Sequence, residues 1–198
     1  MIRTAVLVSG GGTNLQAILD AAKAGALPHA EIALVVSSNA KAYALTRAEK
    51  AGVARTVLAK SSDETPEAYG QRLIALLREH DIQLVALAGF LTILPENVIR
   101  AFDHRILNIH PSLIPSFCGK GFYGLRVHEA ALARGVKLTG ATVHFVNEIP
   151  DGGDIIAQQA VAVLPGDTPE LLQRRVMEEA EWKLLPAALE QVASDLSV

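Results

Sequence analysis

A short strand that ends in polar residues is the part of this chain best suited to chemistry. Residues 106–109 are apolar except for Asn108, which predicts a buried strand, and Pro111 should end it because proline cannot donate to a sheet ladder. Asn108 and His110 lie two positions apart, so they face the same side of the strand. An amide and an imidazole held together can stabilise an oxyanion and move a proton. The alternative is that Asn108 caps a turn and His110 is a satisfied core histidine.

A glycine-rich segment, residues 9–14 (SGGGTN), follows the first predicted strand and opens the first predicted helix. Glycines let the backbone approach a ligand closely, and N–H groups at a helix start attract an anion. The segment lacks the Gly-Lys-Ser/Thr of a nucleoside-triphosphate loop. Read as a dinucleotide fingerprint, it has Leu15 at the third glycine position, and the second strand ends in residues 37–39 without a ribose-binding acid. A single phosphate on a small substrate therefore fits better than NAD, and a structural turn is the alternative.

Three other polar positions leave alternatives open. The sequence Asp-Gly-Gly-Asp at residues 151–154, between two predicted strands, either forms a plain turn or places one of its carboxylates near His110, where it would favour the imidazolium and fix the orientation of the ring. His144 faces either the site or the core. Cys118 is a weak candidate for a nucleophile, because no Cys–His arrangement follows from the sequence. No spacing suggests a metal site, and surface or helix positions are expected for the remaining histidines, His29, His80, His104 and His128.

Strand-like and helical patterns alternate along the chain. This alternation predicts an α/β fold with a doubly wound, mostly parallel sheet and helices on both faces. We expect strands over residues 4–8, 32–36, 84–88, 106–109, 139–145 and 155–163, and helices over residues 14–24, 41–51, 66–80, 127–134 and from 168 to 181 or beyond. We found no repeat or linker, so one domain over residues 1–198 is expected. Residues 116–124, rich in glycine and aromatic side chains, form the loop expected to be most mobile.

Composition narrows the classes of function. The chain has 198 residues, half of them apolar, and a net charge of −3, which is typical of a globular domain with a sizeable core. The small charge and the lack of a basic run argue against nucleic-acid binding, and no signal peptide or membrane-length apolar run is expected. A single cysteine allows no internal disulfide and favours a cytoplasmic location. We expect small-molecule substrates, no nucleic-acid or membrane partner, and a monomer or homodimer.

Five segments together resemble the phosphoribosylglycinamide formyltransferases, a family of folate-dependent formyl-transfer enzymes, over nearly the whole chain. They are residues 8–16 (VSGGGTNLQ), 87–90 (LAGF), 107–115 (LNIHPSLIP), 140–146 (GATVHFV) and 151–153 (DGG). The resemblance implies a Rossmann-like formyltransferase fold. It also implies transfer of a formyl group from the cosubstrate 10-formyltetrahydrofolate to the amine of 5-phosphoribosylglycinamide in de novo purine biosynthesis, without a metal.

The resemblance also implies roles for individual residues. Asn108, His110 and Asp151 would be the catalytic trio. The substrate would be held by Gly12, Thr13 and Asn14 at its phosphate, and by Glu181 at its ribose; Glu179 is the alternative, because the helix that carries this acid is one residue longer here. The folate would be bound by Leu91, Thr92, Ile93, Leu94, Asn108, Asn147 and Glu148, the first four lining the pterin pocket largely through backbone groups and the last two within a loop over residues 147–151.

The chain departs from the family at some positions. Thr92 and Pro66 stand where arginines that contribute to folate binding are usual, and Lys120 and Arg126 are candidate replacements within a loop longer than usual. Two other functions remain as alternatives. A 10-formyltetrahydrofolate hydrolase would carry an additional N-terminal regulatory domain and would not require a phosphate loop. A non-catalytic nucleotide-binding module would explain the glycine segment but not the catalytic trio.

Overall fold

The computed structural model describes residues 1–197 and contains a seven-stranded sheet with helices on both faces. The strands are β1 (Ile2–Val8), β2 (Ala30–Ser37), β3 (Ala54–Val57), β4 (Leu84–Leu87), β5 (Ile106–His110), β6 (Leu138–Phe145) and β7 (Ile155–Ala162). The helices are α1 (Thr13–Lys23), α2 (Tyr43–Lys50), α3 (Pro66–Glu79), α4 (Glu96–Ala101), α5 (Leu125–Arg134), α6 (Pro169–Val176) and α7 (Trp182–Leu196), with a π-helical segment (Met177–Glu181) between α6 and α7.

The strand order β3-β2-β1-β4-β5-β6-β7 places the first strand in the interior of the sheet. Strands β1 to β5 run parallel, whereas β6 and β7 run antiparallel to their neighbours. From β1 the chain adds β2 and β3 on one side of the sheet, and then returns to add β4 and β5 on the other side of β1. Ligands of such sheets bind beyond the carboxyl ends of the strands where the winding direction reverses, here between β1 and β4.

Two apolar clusters cover the two faces of the sheet. One contains side chains of α1 and α7, such as Leu15 and Leu185, and the other contains side chains of α3 and α4, such as Tyr69 and Val98. Strand β4 is buried along its whole length, in agreement with its continuous apolar sequence. The core therefore holds the central strands rigidly and leaves their carboxyl ends for the site.

The predicted α/β alternation and mostly parallel sheet are confirmed, and the boundaries differ by a few residues. Two short elements were not predicted: the largely exposed edge strand β3 and the six-residue helix α4. The predicted terminal helix is divided into α6, the π-helical segment and α7. Among residues 1–197, no helix has both the length and the apolar character needed to cross a membrane.

Candidate active site

Strand β5 brings Asn108 and His110 to one cavity wall, as their spacing predicts. His110 is the last residue of the strand, and both side chains line the same cavity beyond its carboxyl end. The neighbouring strand β6 is antiparallel and places His144 directly opposite Asn108. His110 and His144 are buried. The polar side chains of the two strands therefore meet at one point, which we call the polar junction.

His144 orients the side chain of Asn108. Its Nδ1 lies 2.8 Å from the carbonyl oxygen of Phe145, which can only accept, so Nδ1 carries the proton. The other ring nitrogen, Nε2, lies 3.1 Å from Asn108 Nδ2. The same amide nitrogen lies 3.4 Å from Asp151 Oδ1. His144, for which the sequence left two orientations open, thus faces the site.

Asp151 completes the junction. Its Oδ2 accepts from the Gly119 N–H at 2.8 Å and lies 3.5 Å from His110 Nδ1, while its Oδ1 lies 3.6 Å from His144 Nε2. Burial alone raises the pKa of Asp151, but the contacts with His144, His110 and Gly119 outweigh burial, so the pKa lies below its ordinary value. The carboxylate is therefore held ionised between two imidazoles. Of the two readings of the Asp-Gly-Gly-Asp sequence, the structure supports the one that places Asp151 beside His110.

The loop that carries Asp151 reaches this position because of unusual backbone geometry. Asp151 itself has a φ of +55°, in the left-handed region that non-glycine residues rarely adopt. A Cβ atom at Gly153 would overlap the carbonyl oxygen of Phe145, so only glycine allows the loop to pack this closely against β6. The carboxylate is thus brought to the end of β5 by an approach that larger residues would prevent.

The loop after β5 touches the other side of the junction. His110 Nε2 lies 2.9 Å from the carbonyl oxygen of Phe117, so it donates there, and its Nδ1 faces Asp151. Cys118 lies between Phe117 and Gly119, the two residues whose backbone contacts the trio. Its thiol donates to the Pro115 carbonyl at 3.3 Å, and burial, aided by Asp151, raises its pKa. A protonated thiol is a poor nucleophile.

A polar cavity of about 440 Å³ lies on the β1 side of the junction. The glycine segment forms one wall, and the N–H groups of Gly11, Gly12 and Thr13 have no acceptor within residues 1–197. Asn14 Nδ2 donates to Glu181 Oε2 at 2.6 Å across the cavity floor. Glu181 is buried and lines the cavity, whereas Glu179 is exposed outside it. This placement favours Glu181 over Glu179 as a ligand group.

Burial shifts the pKa of two ionisable side chains in this cavity toward their uncharged forms. Burial raises the pKa of Glu181, an effect that its bond with Asn14 partly offsets. Burial lowers the pKa of His128 to about 4, and the charge of His110 adds to this shift. His128 lies on helix α5, as expected, but it is fully buried, and neither ring nitrogen has a partner within residues 1–197.

An apolar cavity of about 170 Å³ lies on the β4 side and shares Phe90, Leu91, Asn108 and Asp151 with the polar cavity. Every residue assigned to folate binding from the resemblance lines it: Leu91, Thr92, Ile93, Leu94, Asn108, Asn147 and Glu148. Asn147 also shapes the loop, because its side chain accepts from the Ile149 N–H and donates to the Gly152 carbonyl.

The candidate arginine replacements lie elsewhere. Neither Lys120 nor Arg126 lines either cavity, and Arg126 instead stacks over the ring of Tyr123 at 5.0 Å. Sequence reasoning also missed the aromatic residues Phe122 and Tyr123 at the polar cavity. Within residues 1–197, no group of three or more His, Cys, Asp or Glu side chains could hold a metal ion.

The arrangement is that of a group-transfer enzyme with two ligand cavities meeting at one polar junction. A family model described as Formyl transferase matches residues 2–189, and the chain belongs to that family. The chain is 41% identical over 177 residues to "Phosphoribosylglycinamide formyltransferase, chloroplastic" of Vigna unguiculata, covering 89% of this chain. It spans 56% of that relative's length and between 14% and 86% of the length of the other curated relatives.

Two solved structures share the fold. Glycinamide ribonucleotide transformylase 1 from Symbiobacterium toebii superimposes with a TM-score of 0.92 at 44% identity, over 98% of this chain and 89% of that one. A formyltetrahydrofolate deformylase from Pseudomonas syringae pv. tomato superimposes with a TM-score of 0.87 at 28% identity, over 98% of this chain and 62% of that one. Structures named as a transformylase and as a deformylase therefore both share this fold.

Proposed function

We propose that the chain transfers a formyl group from 10-formyltetrahydrofolate to the amine of 5-phosphoribosylglycinamide, as an enzyme of purine biosynthesis in the cytoplasm. The observation that carries this proposal is the position of Asn108 and Asp151, which line the polar and the apolar cavity at once. A phosphorylated amine in the polar cavity and a folate in the apolar cavity would meet at these two residues. Holding two reactants at one point supplies a large part of the rate of a bimolecular reaction.

The reaction needs donors for an oxyanion. The amine nitrogen attacks the formyl carbon, the carbonyl electrons move to oxygen, and the tetrahedral adduct then breaks its bond to N10 of the folate. Asn108 Nδ2 and His110 are the proposed donors to that oxygen. In this structure the Asn108 amide faces His144 and Asp151, and His110 Nε2 donates to Phe117. Substrate binding therefore has to exchange at least one of these contacts.

Proton transfer is assigned to His110 and Asp151. The amine must lose a proton and N10 must gain one, so the net reaction needs a shuttle and no net acid or base. His110 Nε2 is engaged by the Phe117 carbonyl, which leaves Nδ1, 3.5 Å from Asp151 Oδ2, as the atom that gains or loses the proton. The ionised carboxylate of Asp151 stabilises the imidazolium formed in that step.

The cavities account for substrate selection in this proposal. Gly12, Thr13 and Asn14 would receive the phosphate at the start of α1, and Glu181 would accept hydrogen bonds from ribose hydroxyls. The apolar walls formed by Leu91 to Leu94 would bury the pterin, whose polar edges the backbone groups of this segment can bond.

Hydrolysis of the formyl donor is the second candidate, favoured by the similarity to the deformylase. The polar cavity argues against it, because the N–H groups of residues 11–13, which have no acceptor within residues 1–197, form an anion site that water does not need. The test is to incubate the purified protein with 10-formyltetrahydrofolate, with and without 5-phosphoribosylglycinamide, and to measure tetrahydrofolate release and formylated amine. Release that depends on the amine supports transfer. Equal release in both reactions identifies a hydrolase, and no release in either would refute both.

A further inference from the structure

The glycine segment is held by the N-terminal half of helix α2, on the side away from the polar cavity. The carbonyl oxygen of Gly10 accepts from the backbone N–H of Ala44 at 3.1 Å, and the carbonyl oxygen of Gly11 accepts from the Nε of Arg47 at 2.8 Å. Gly12 packs on the same helix, where an added Cβ would lie 2.6 Å from the Cβ of Ala44. Three successive glycines therefore contact one short surface of α2.

These anchors determine where the opposite ends of the peptide groups point. In a planar trans peptide the C=O and the following N–H point in opposite directions. Fixing the Gly10 carbonyl toward α2 directs the N–H of Gly11 away from α2, and fixing the Gly11 carbonyl does the same for the N–H of Gly12. Both glycines line the polar cavity. The contacts behind the segment thus orient the donors in front of it.

Arg47 is itself fixed by two further contacts. Its Nη1 donates to Gln16 Oε1 on α1 at 2.9 Å, and its guanidinium lies over the ring of Tyr43 at 5.0 Å. Arg47 does not line the polar cavity. Its influence on the cavity therefore acts through the Gly11 peptide and through its positive charge behind the segment.

We propose that Arg47 is a positioning residue that aims the N–H groups of the glycine segment at the phosphate and so sets selectivity for a phosphorylated substrate. This inference rests on the proposed function for its substrate, but the phosphate site can be tested without that substrate. Loss of the Arg47 side chain frees the Gly11 carbonyl, and the peptide that follows it can then rotate and withdraw the Gly12 N–H from the cavity.

The experiment compares Arg47→Gln with Arg55→Gln. Arg55 lies on β3 and pairs with Glu49, so its substitution removes the same charge from the same side of the sheet without touching the glycine segment. We expect Arg47→Gln to raise the KM for 5-phosphoribosylglycinamide about tenfold, the size expected for loss of a charge-assisted hydrogen bond. The KM for 10-formyltetrahydrofolate and kcat should stay within about twofold, and Arg55→Gln should change none of these values.

A second readout needs no catalysis. The Kd of inorganic phosphate, measured by calorimetry on each purified protein, should rise for Arg47→Gln by the same factor as the KM and stay constant for Arg55→Gln. Equal effects of both variants, equal effects on both substrates, or no phosphate binding to the wild-type protein would overturn the proposal. Phosphate binding that depends on Arg47 in a protein that does not formylate the amine would refute the proposed function alone.

A milder variant covers the case in which Arg47→Gln does not fold. Tyr43 is 52% exposed, so Tyr43→Ala should leave the fold intact while it removes the ring beneath the guanidinium. We expect the same selective loss of phosphate affinity, about threefold in size. Unchanged phosphate affinity in this folded variant would count against the role of Arg47.

Discussion

The polar and the apolar cavity meet at Asn108 but are built in opposite ways. The polar cavity is lined by backbone N–H groups and by buried polar side chains such as Asn14, His128 and Glu181. The apolar cavity includes three large apolar side chains that the fold leaves in solvent: Leu91, Ile93 and Ile149 are 68%, 83% and 65% exposed. One cavity is thus organised before any ligand arrives, whereas the other presents apolar surface that a ligand must cover.

This difference separates two kinds of recognition. Fixed donors discriminate strongly, because a ligand without the matching acceptor leaves them unpaired. Exposed apolar surface contributes affinity in proportion to the area that binding buries, with little directional preference. Substitutions of buried residues in the polar cavity should therefore change selectivity and folding together. Substitutions of exposed residues in the apolar cavity should change affinity for the formyl donor gradually and leave the fold alone.

The largest effects are expected at Asn108, which lines both cavities, and at His110, which lies two residues further along the same strand. Asn108→Ala and His110→Ala should each lower kcat by at least about a hundredfold, because each removes a proposed oxyanion donor. Steady-state kinetics on the purified variants, with circular dichroism to confirm the fold, is the measurement. Near-normal turnover in either folded variant would remove that residue from the mechanism.

Asp151→Asn tests the carboxylate that joins the two cavities. We expect kcat to fall by at least about tenfold, since the imidazolium of His110 loses its charged partner. Stability should also change with a definite sign. The pKa of Asp151 lies below its ordinary value in the folded protein, so its contribution is present above about pH 4 and is lost as the pH falls through the folded-state pKa.

The matching measurement is urea unfolding of both proteins at several pH values. The wild-type protein should be more stable than Asp151→Asn near neutral pH, and the difference should shrink as the pH falls below about 4. A difference that is constant with pH would show that Asp151 contributes through backbone geometry rather than charge.

The glycine segment allows a matched pair of substitutions. Gly12 has a φ of +72° and packs on Ala44, so Gly12→Val should weaken binding of the phosphorylated substrate more than tenfold and lower the free energy of unfolding by about 1–3 kcal/mol. Gly11 has open space where a Cβ would lie. Gly11→Val should therefore weaken binding while its unfolding free energy stays within about 0.5 kcal/mol of wild type.

Calorimetry with each ligand and chemical unfolding distinguish the two variants. An equal loss of folate and phosphate binding in Gly12→Val would contradict a phosphate role for the segment. Strong destabilisation of Gly11→Val would instead show that this position is constrained by packing.

Features that depend on local chain geometry could be predicted from the sequence. Asn108 and His110 are two apart on one strand, and a glycine segment between a strand and a helix places backbone N–H groups where they can bind an anion. The alternation of apolar strands and amphipathic helices likewise predicts the sheet. These inferences need only the residues themselves and their immediate neighbours.

Features that depend on long-range pairing could not be predicted. The orientation of His144 follows from the β5–β6 register, which places it opposite Asn108. The burial of His128 follows from the packing of α5 against α6, and the contact of Arg47 with Gly11 joins residues 36 positions apart. The edge strand β3 and the six-residue helix α4 lack a long periodic pattern, so packing rather than propensity determines them.

The smallest expected effect tests the apolar cavity. Ile93 is 83% exposed, so Ile93→Ser removes little buried surface from the protein itself, and its unfolding free energy should stay within about 0.5 kcal/mol of wild type. A bound pterin would cover this side chain, so the KM for 10-formyltetrahydrofolate should rise about three- to tenfold. The KM for the phosphorylated amine should not change.

Leu138→Ser is the matched control, since Leu138 is 60% exposed on β6 and lines neither cavity. If both variants raise the folate KM equally, or if Ile93→Ser instead raises the KM for the phosphorylated amine, the assignment of folate to the apolar cavity is wrong.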